Sequence, residues 1–147
     1  MRAYVVDTNL YIRADRDPAA TAELRRFYEA HLGSTYLHAV VAMEILAGGV
    51  TRATSRRLRD QYVAPFEGRG RLVTPSFTSY TRAGEVIGRL VGRSVLTAGG
   101  VPRSFTNDVL LAVSCREHGL TLVTGNVNDF GRIRKVLDFD FVAPWPE

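Results

Sequence analysis

Lysine is almost missing from this sequence, and so is cysteine. Lys135 is the single lysine and Cys115 the single cysteine among 147 residues. One cysteine cannot close an internal disulfide, so the fold has to rest on its core, and Cys115, in the apolar stretch "LLAVSCREHG", is expected as a buried thiol. No apolar run approaches the ~20 residues that span a bilayer. The N-terminus starts a strand at once, without the basic-then-apolar layout of a secretory signal. A soluble, cytoplasmic protein with no membrane partner is expected. No repeat, low-complexity tract or Ser/Pro linker appears, and 147 residues suit one domain, 1–147, with an unaided core.

With lysine so scarce, the positive charge is nearly all arginine. The net charge is +4 and the pI about 9.6. The guanidinium is a planar fork that donates two hydrogen bonds at once to a phosphate, so a polyanion is a natural partner. Arginine-for-lysine replacement also follows from base composition, which leaves this a weak pointer by itself. "TSRRLRD" and "GRGR" are either RNA-facing stripes or solvated faces.

The order of elements is more informative. "AYVV" reads as a strand and "NLYIRA" as a short helical turn. "DPAATAELRRFYEAHLG" has Asp17 to cap a helix, Pro18 at its first position and Gly33 after its end. "STYLHA" is a second strand, followed by the helix "VVAMEILAGG" and a further helix, "TSRRLRDQYVAPF", stopped near Pro65. "GRLVTP" is a brief strand and "TSYTRAGEVIGRLVGR" a helix. After the loop "TAGGVPRS" come the helix "FTNDVLLAVSCREHG", the strand "LTLVTG", the helical turn "NDFGRI" and a last short strand in "DFDFVAP". Strands alternating with helices predict an α/β three-layer sandwich around a mostly parallel, roughly five-stranded sheet.

Such sheets keep their reactive groups outside the carboxyl ends of the strands. Asp7 ends the first strand, and Asn126 and Asp129 follow "LTLVT". Glu44 lies in the early turns of the helix after the second strand, and Asp108 near the start of the helix before "LTLVT". Both helices run back along the sheet, so their starts share that edge. Four carboxylates from separate segments thus fall on one rim. Like charges so close need a counter-charge, and oxygen ligands without Cys or His suit Mg²⁺, with Mn²⁺ also plausible, rather than zinc. Magnesium bridges carboxylates to phosphate oxygens and assists an in-line displacement.

"VVDTN", "VVAMEILAG", "FTNDVLLAVSCREHG" and "LVTGNVNDF" resemble the four acidic motifs of the PIN domain family, in the usual order and over nearly the whole chain. The likeness is strongest to the VapC-type ribonuclease toxins of toxin–antitoxin pairs. It implies a Mg²⁺-dependent endoribonuclease that leaves a 3′-hydroxyl and a 5′-phosphate. Asp7 and Asp108 resemble the chief metal ligands, Glu44 the third acid, and Thr8 the small hydroxyl residue of the site. At the fourth motif Asn126 stands where some members carry an acid; here the acid comes three residues later, as Asp129. An antitoxin partner and a homodimer are implied too, with the helices around "TSRRLRDQYVAPF" as candidates for the dimer contact.

Other readings compete. Asp7 suits a turn or helix cap, Asp108 a helix-dipole acid, and Asp129 a first-turn helix acid. His31, His38 and His118 show no zinc-like spacing and read as surface or capping residues. The same fold serves as a non-catalytic RNA- or protein-binding module, or as a housekeeping RNA-processing nuclease. A response-receiver domain would want two adjacent acids after the first strand and a late lysine in the sheet; "VVDTN" has one acid, and Lys135 follows "NDFGRIR".

Overall fold

A computed structural model describes residues 2–97 and 99–147. Ala98, inside the expected "TAGG" loop, and Met1 lie outside the described residues.

Five short strands form the sheet: β1 Ala3–Val6, β2 Thr35–His38, β3 Leu72–Val73, β4 Leu120–Val123 and β5 Phe141–Val142. Their order is β3-β2-β1-β4-β5, and every pairing is parallel. The expected "mostly parallel" sheet is therefore wholly parallel. The central strands show why. Val5, Val6, Leu122 and Val123 are all fully or almost fully buried, because helices cover both faces and leave no wet side. β1 and β4 run in register from Ala3 opposite Leu120 to Val6 opposite Val123.

The helices are α1 Thr8–Arg16, α2 Pro18–His31, α3 Ala39–Ala47, α4 Arg52–Leu58, α5 Ala64–Gly68, α6 Phe77–Gly92, α7 Arg103–His118 and α8 Val127–Arg134. α1 packs on α2 and α3, while α7 packs on α6, α8 and β4. "NLYIRA" belongs to a longer helix than its sequence suggests, because Asp7 caps α1 and Leu10, Tyr11 and Ala14 are buried along it. Pro65 does not stop the helix expected there. A wider π turn at Arg59–Val63 links α4 to α5, and Pro65 sits in the first turn of α5, where a missing N–H costs nothing. Leu58, Tyr62, Val63 and Phe66 from this stretch all enter the core. The stretch expected to supply a dimer contact thus spends its apolar side chains internally and turns mainly arginine and other polar groups outward.

Cys115 is buried and free, as its apolar surroundings imply. His38 is buried rather than on the surface: its Nδ1 accepts the Val40 N–H at 3.1 Å and caps α3. Burial, aided by the charge of His118, pushes its pKa down to about 4, so the cap is a neutral imidazole. His118 is exposed, with Nδ1 near the Ser114 carbonyl at 2.9 Å. Lys135 is exposed after α8 rather than at the end of a strand, and a single acid, Asp7, follows β1, so the described residues do not show a receiver-type constellation.

The strand order locates the crevice. From β1 the chain builds outward through β2 and β3, then returns to the other side of β1 to lay down β4 and β5. The switch point of this sheet lies between β1 and β4, and open parallel sheets open their crevice at the carboxyl ends there. Asp7 and Thr124 are the residues immediately beyond those two ends.

Candidate active site

Asp7 is almost fully buried at 4% exposure. Its N–H continues the β1–β4 ladder to the Val123 carbonyl at 2.9 Å, which fixes the backbone beside β4. One carboxylate oxygen accepts the Thr8 N–H at 2.8 Å and so caps α1. The other accepts the Thr124 hydroxyl at 2.7 Å. Capping and site membership are therefore one arrangement at this residue. Burial raises the Asp7 pKa, the Thr124 and Thr8 hydrogen bonds oppose that rise, and Glu44 adds to it.

Thr8 links the first acid to the second. Its hydroxyl donates to Glu44 Oε1 at 2.7 Å. Glu44 and Asp108 lie in the second turns of α3 and α7, and helical side chains lean toward the N-terminus, so both aim back at the sheet's carboxyl edge. Asp108 is not the cap of its helix. α7 begins at Arg103 after Pro102, which offers no side-chain cap. The Asp108 pKa is pushed up to about 8, by burial first and then by the negative charges of Asp7, Glu44 and Asp129. The other three acids expected at the rim thus all act on this one carboxyl.

Asn126 and Asp129 meet Asp108 from the other side. Asn126 Nδ2 donates to Asp129 Oδ2 at 3.1 Å and reaches Asp108 Oδ2 at 3.5 Å. Asp129 lies in the first turn of α8, and its second oxygen pairs with Arg132 at 3.1 Å. Two contributors escaped the sequence reading. Thr124 is fully buried; its hydroxyl donates to Asp7 and accepts the Asn126 N–H at 2.9 Å, tying β1 to the start of α8. Its sequence signal was a lone hydroxyl residue ending an apolar strand. Arg132 carried no signal beyond its spacing from Asp129.

Two halves emerge. Asp7, Thr8 and Glu44 form one hydrogen-bonded chain; Asp108, Asn126 and Asp129 form another. Thr124 joins them through Asp7 and the Asn126 backbone. The donors are hard oxygens, and burial first, with neighbouring negative charge after it, raises the pKa values of Asp7 and Asp108, so both carboxylates lack a counter-charge in a partly dry site. Both features fit a hard divalent cation such as Mg²⁺. Among the described residues no three His, Cys, Asp or Glu side chains already form a cage, since Thr8, Thr124 and Asn126 hold the carboxylates in separate hydrogen bonds.

The sequence pattern of the PIN domain family matches residues 4–136. Ribonuclease VapC1 of Rickettsia felis is 30% identical over 138 residues, covering 88% of this chain and 90% of that protein. Among solved structures, DNA-bound VapBC of Salmonella typhimurium superposes with a TM-score of 0.72 at 19% identity, over 97% of this chain and 98% of the other. FitAcB of Neisseria gonorrhoeae gives 0.67 at 19% identity, over 98% and 99% of the two chains.

Proposed function

This chain belongs to the PIN domain family, and from that premise we propose that it is a Mg²⁺-dependent endoribonuclease acting as the toxin of a toxin–antitoxin pair. The observation that carries the reading is the hydrogen-bonded set at the carboxyl ends of β1 and β4, where Thr8 ties Asp7 to Glu44, Asn126 ties Asp129 to Asp108, and Thr124 joins the two halves. Asp7 and Asp108 would hold the cation, with Glu44 assisting. A bound Mg²⁺ supplies charge for the phosphate oxygens and makes water a better nucleophile. The chain's own groups do the rest. Thr8 fixes the Glu44 carboxylate, Thr124 fixes Asp7, and Asn126 donates to both acids of its half-site. A cation held at Asp108 would favour its ionised carboxylate, so binding would be coupled to proton release at neutral pH.

Ribonuclease VapC1 supports RNA as substrate, and the VapBC complex among the structural relatives supports an antitoxin partner. Met43, Leu72, Phe77 and Tyr80 are exposed large apolar side chains, available for contacts with a protein partner. A non-catalytic binding module would keep the same acids, so chemistry has to separate the two. Purified protein is expected to cleave unstructured RNA in Mg²⁺, to stop in EDTA, and to leave 5′-phosphate ends. RNA that stays intact in Mg²⁺ while the protein still binds it would establish the binding-module reading instead.

A further inference from the structure

Arg132 joins segments that lie far apart in the sequence. One guanidinium nitrogen pairs with Asp129 Oδ1 at 3.1 Å, and the other donates to the Val95 carbonyl at 3.1 Å. The same group lies 5.0 Å over the ring of Phe105. Phe105 is buried in the first turn of α7, three residues before Asp108. Val95 belongs to the connection between α6 and α7. On the Asp129 side, Asn126 Nδ2 bridges the remaining Asp129 oxygen to Asp108, at 3.1 and 3.5 Å. Two routes therefore run from one guanidinium to Asp108. One passes through hydrogen bonds, the other through the packed start of α7.

We propose that Arg132 is a positioning residue of the cation site: it touches neither cation nor RNA, and it sets where Asp108 and Asp129 stand. This rests on the nuclease reading above. Charge and position predict opposite outcomes, which makes the role testable. If Arg132 acted only through its charge, removing it would leave Asp129 uncompensated and tighten cation binding. If it acts by position, removing it frees α8 and the start of α7, and cation binding weakens. Partners outside a metal's direct ligands commonly control affinity by about tenfold or more through orientation of those ligands.

The test is calorimetric titration of the full chain with Mg²⁺, together with thermal melts, for wild type, Arg132→Met, Arg132→Lys, Asp129→Asn and the Arg132→Met/Asp129→Asn double variant. Arg132→Met is expected to bind Mg²⁺ about tenfold more weakly. Asp129→Asn should weaken binding similarly, and the double variant should lose less than the two singles combined, because the hydrogen-bonded route through Asp129 is common to both. Arg132→Lys keeps the charge but cannot hold Asp129, Val95 and the Phe105 ring together; its affinity should fall between wild type and Arg132→Met. If Arg132→Met fails to fold, Arg132→Lys alone decides, and wild-type affinity there overturns the role. Unchanged or tighter binding in a folded Arg132→Met, or additive losses in the double variant, also overturns it while leaving the nuclease reading intact. A wild type that takes up no Mg²⁺ overturns both.

Discussion

Asp108→Asn is expected to abolish RNA cleavage and, in the same protein, to raise the stability of the cation-free fold. On the proposed reading Asp108 would help hold the cation, and losing that carboxylate would remove several kcal/mol of charge stabilisation from the reaction, a rate loss of about a thousandfold. The stability gain follows from linkage. The Asp108 carboxyl titrates near 8 in the fold, against an ordinary value of 3.8. Between those values the native state holds a proton that the unfolded chain has released, so rising pH destabilises the cation-free wild type across that window. Asparagine does not titrate. The variant's advantage should therefore be absent near pH 4, grow through neutral pH and level off above pH 8 at roughly 2 kcal/mol. That figure is well below the full linkage value because the half-buried site is screened and shared among four acids. His38 also titrates in this range, but it is common to both proteins and cancels in the difference. Denaturant melts in EDTA from pH 4 to 9 measure the gap, and a variant that is less stable than wild type at pH 8 contradicts the account. Saturating Mg²⁺ should reverse the order, since only the wild type gains binding energy from the cation.

Phe130→Ala is expected to cost about 3–5 kcal/mol. Phe130 is fully buried, with Phe139 at 6.1 Å and Phe141 at 6.2 Å between ring centroids. It follows Asp129 and precedes Arg132 by two residues, so it is the apolar anchor that seats α8 against the sheet. Phe141 lies in β5, and Arg134 sits 3.8 Å over its ring, so this corner closes the edge of the sheet beyond β4. Truncation leaves a cavity in that corner and loosens the helix that carries the fourth acid. The comparison is Phe77→Ala, at a ring 82% exposed, which should shift stability by no more than about 0.5 kcal/mol. Urea midpoints with an unchanged slope report both, and equal losses in the two variants would contradict the packing described here.

The parts of the fold that were legible in the sequence are those where local chemistry and tertiary role coincide. A strand buried on both faces needs a continuous apolar run, so "AYVV" and "LTLV" announced themselves, and Asp7 stood out because it closes such a run. Glu44 was visible as a lone acid inside "VVAMEILAG". Boundaries set by packing were less legible. α7 starts at Arg103 rather than Phe105 because Pro102 begins it without a side-chain cap, and this moves Asp108 into the second turn. The π turn at Arg59–Val63 buries the adjacent Tyr62 and Val63, and nothing in the local sequence marks the wider turn. Arg132 was hidden for a related reason. Its pairing with Asp129 is local, but Val95 and Phe105 reach it only through the tertiary fold.

The central claim is that carboxylates from separate segments form one cation site. The measurement that tests it most directly is Mg²⁺ binding by calorimetry, wild type against Asp7→Asn/Asp108→Asn. The account predicts a single-site signal, with proton release at neutral pH, in the wild type and none in the double variant. Equal binding in both proteins would mean that these acids do not hold the cation, and would contradict the account at its foundation.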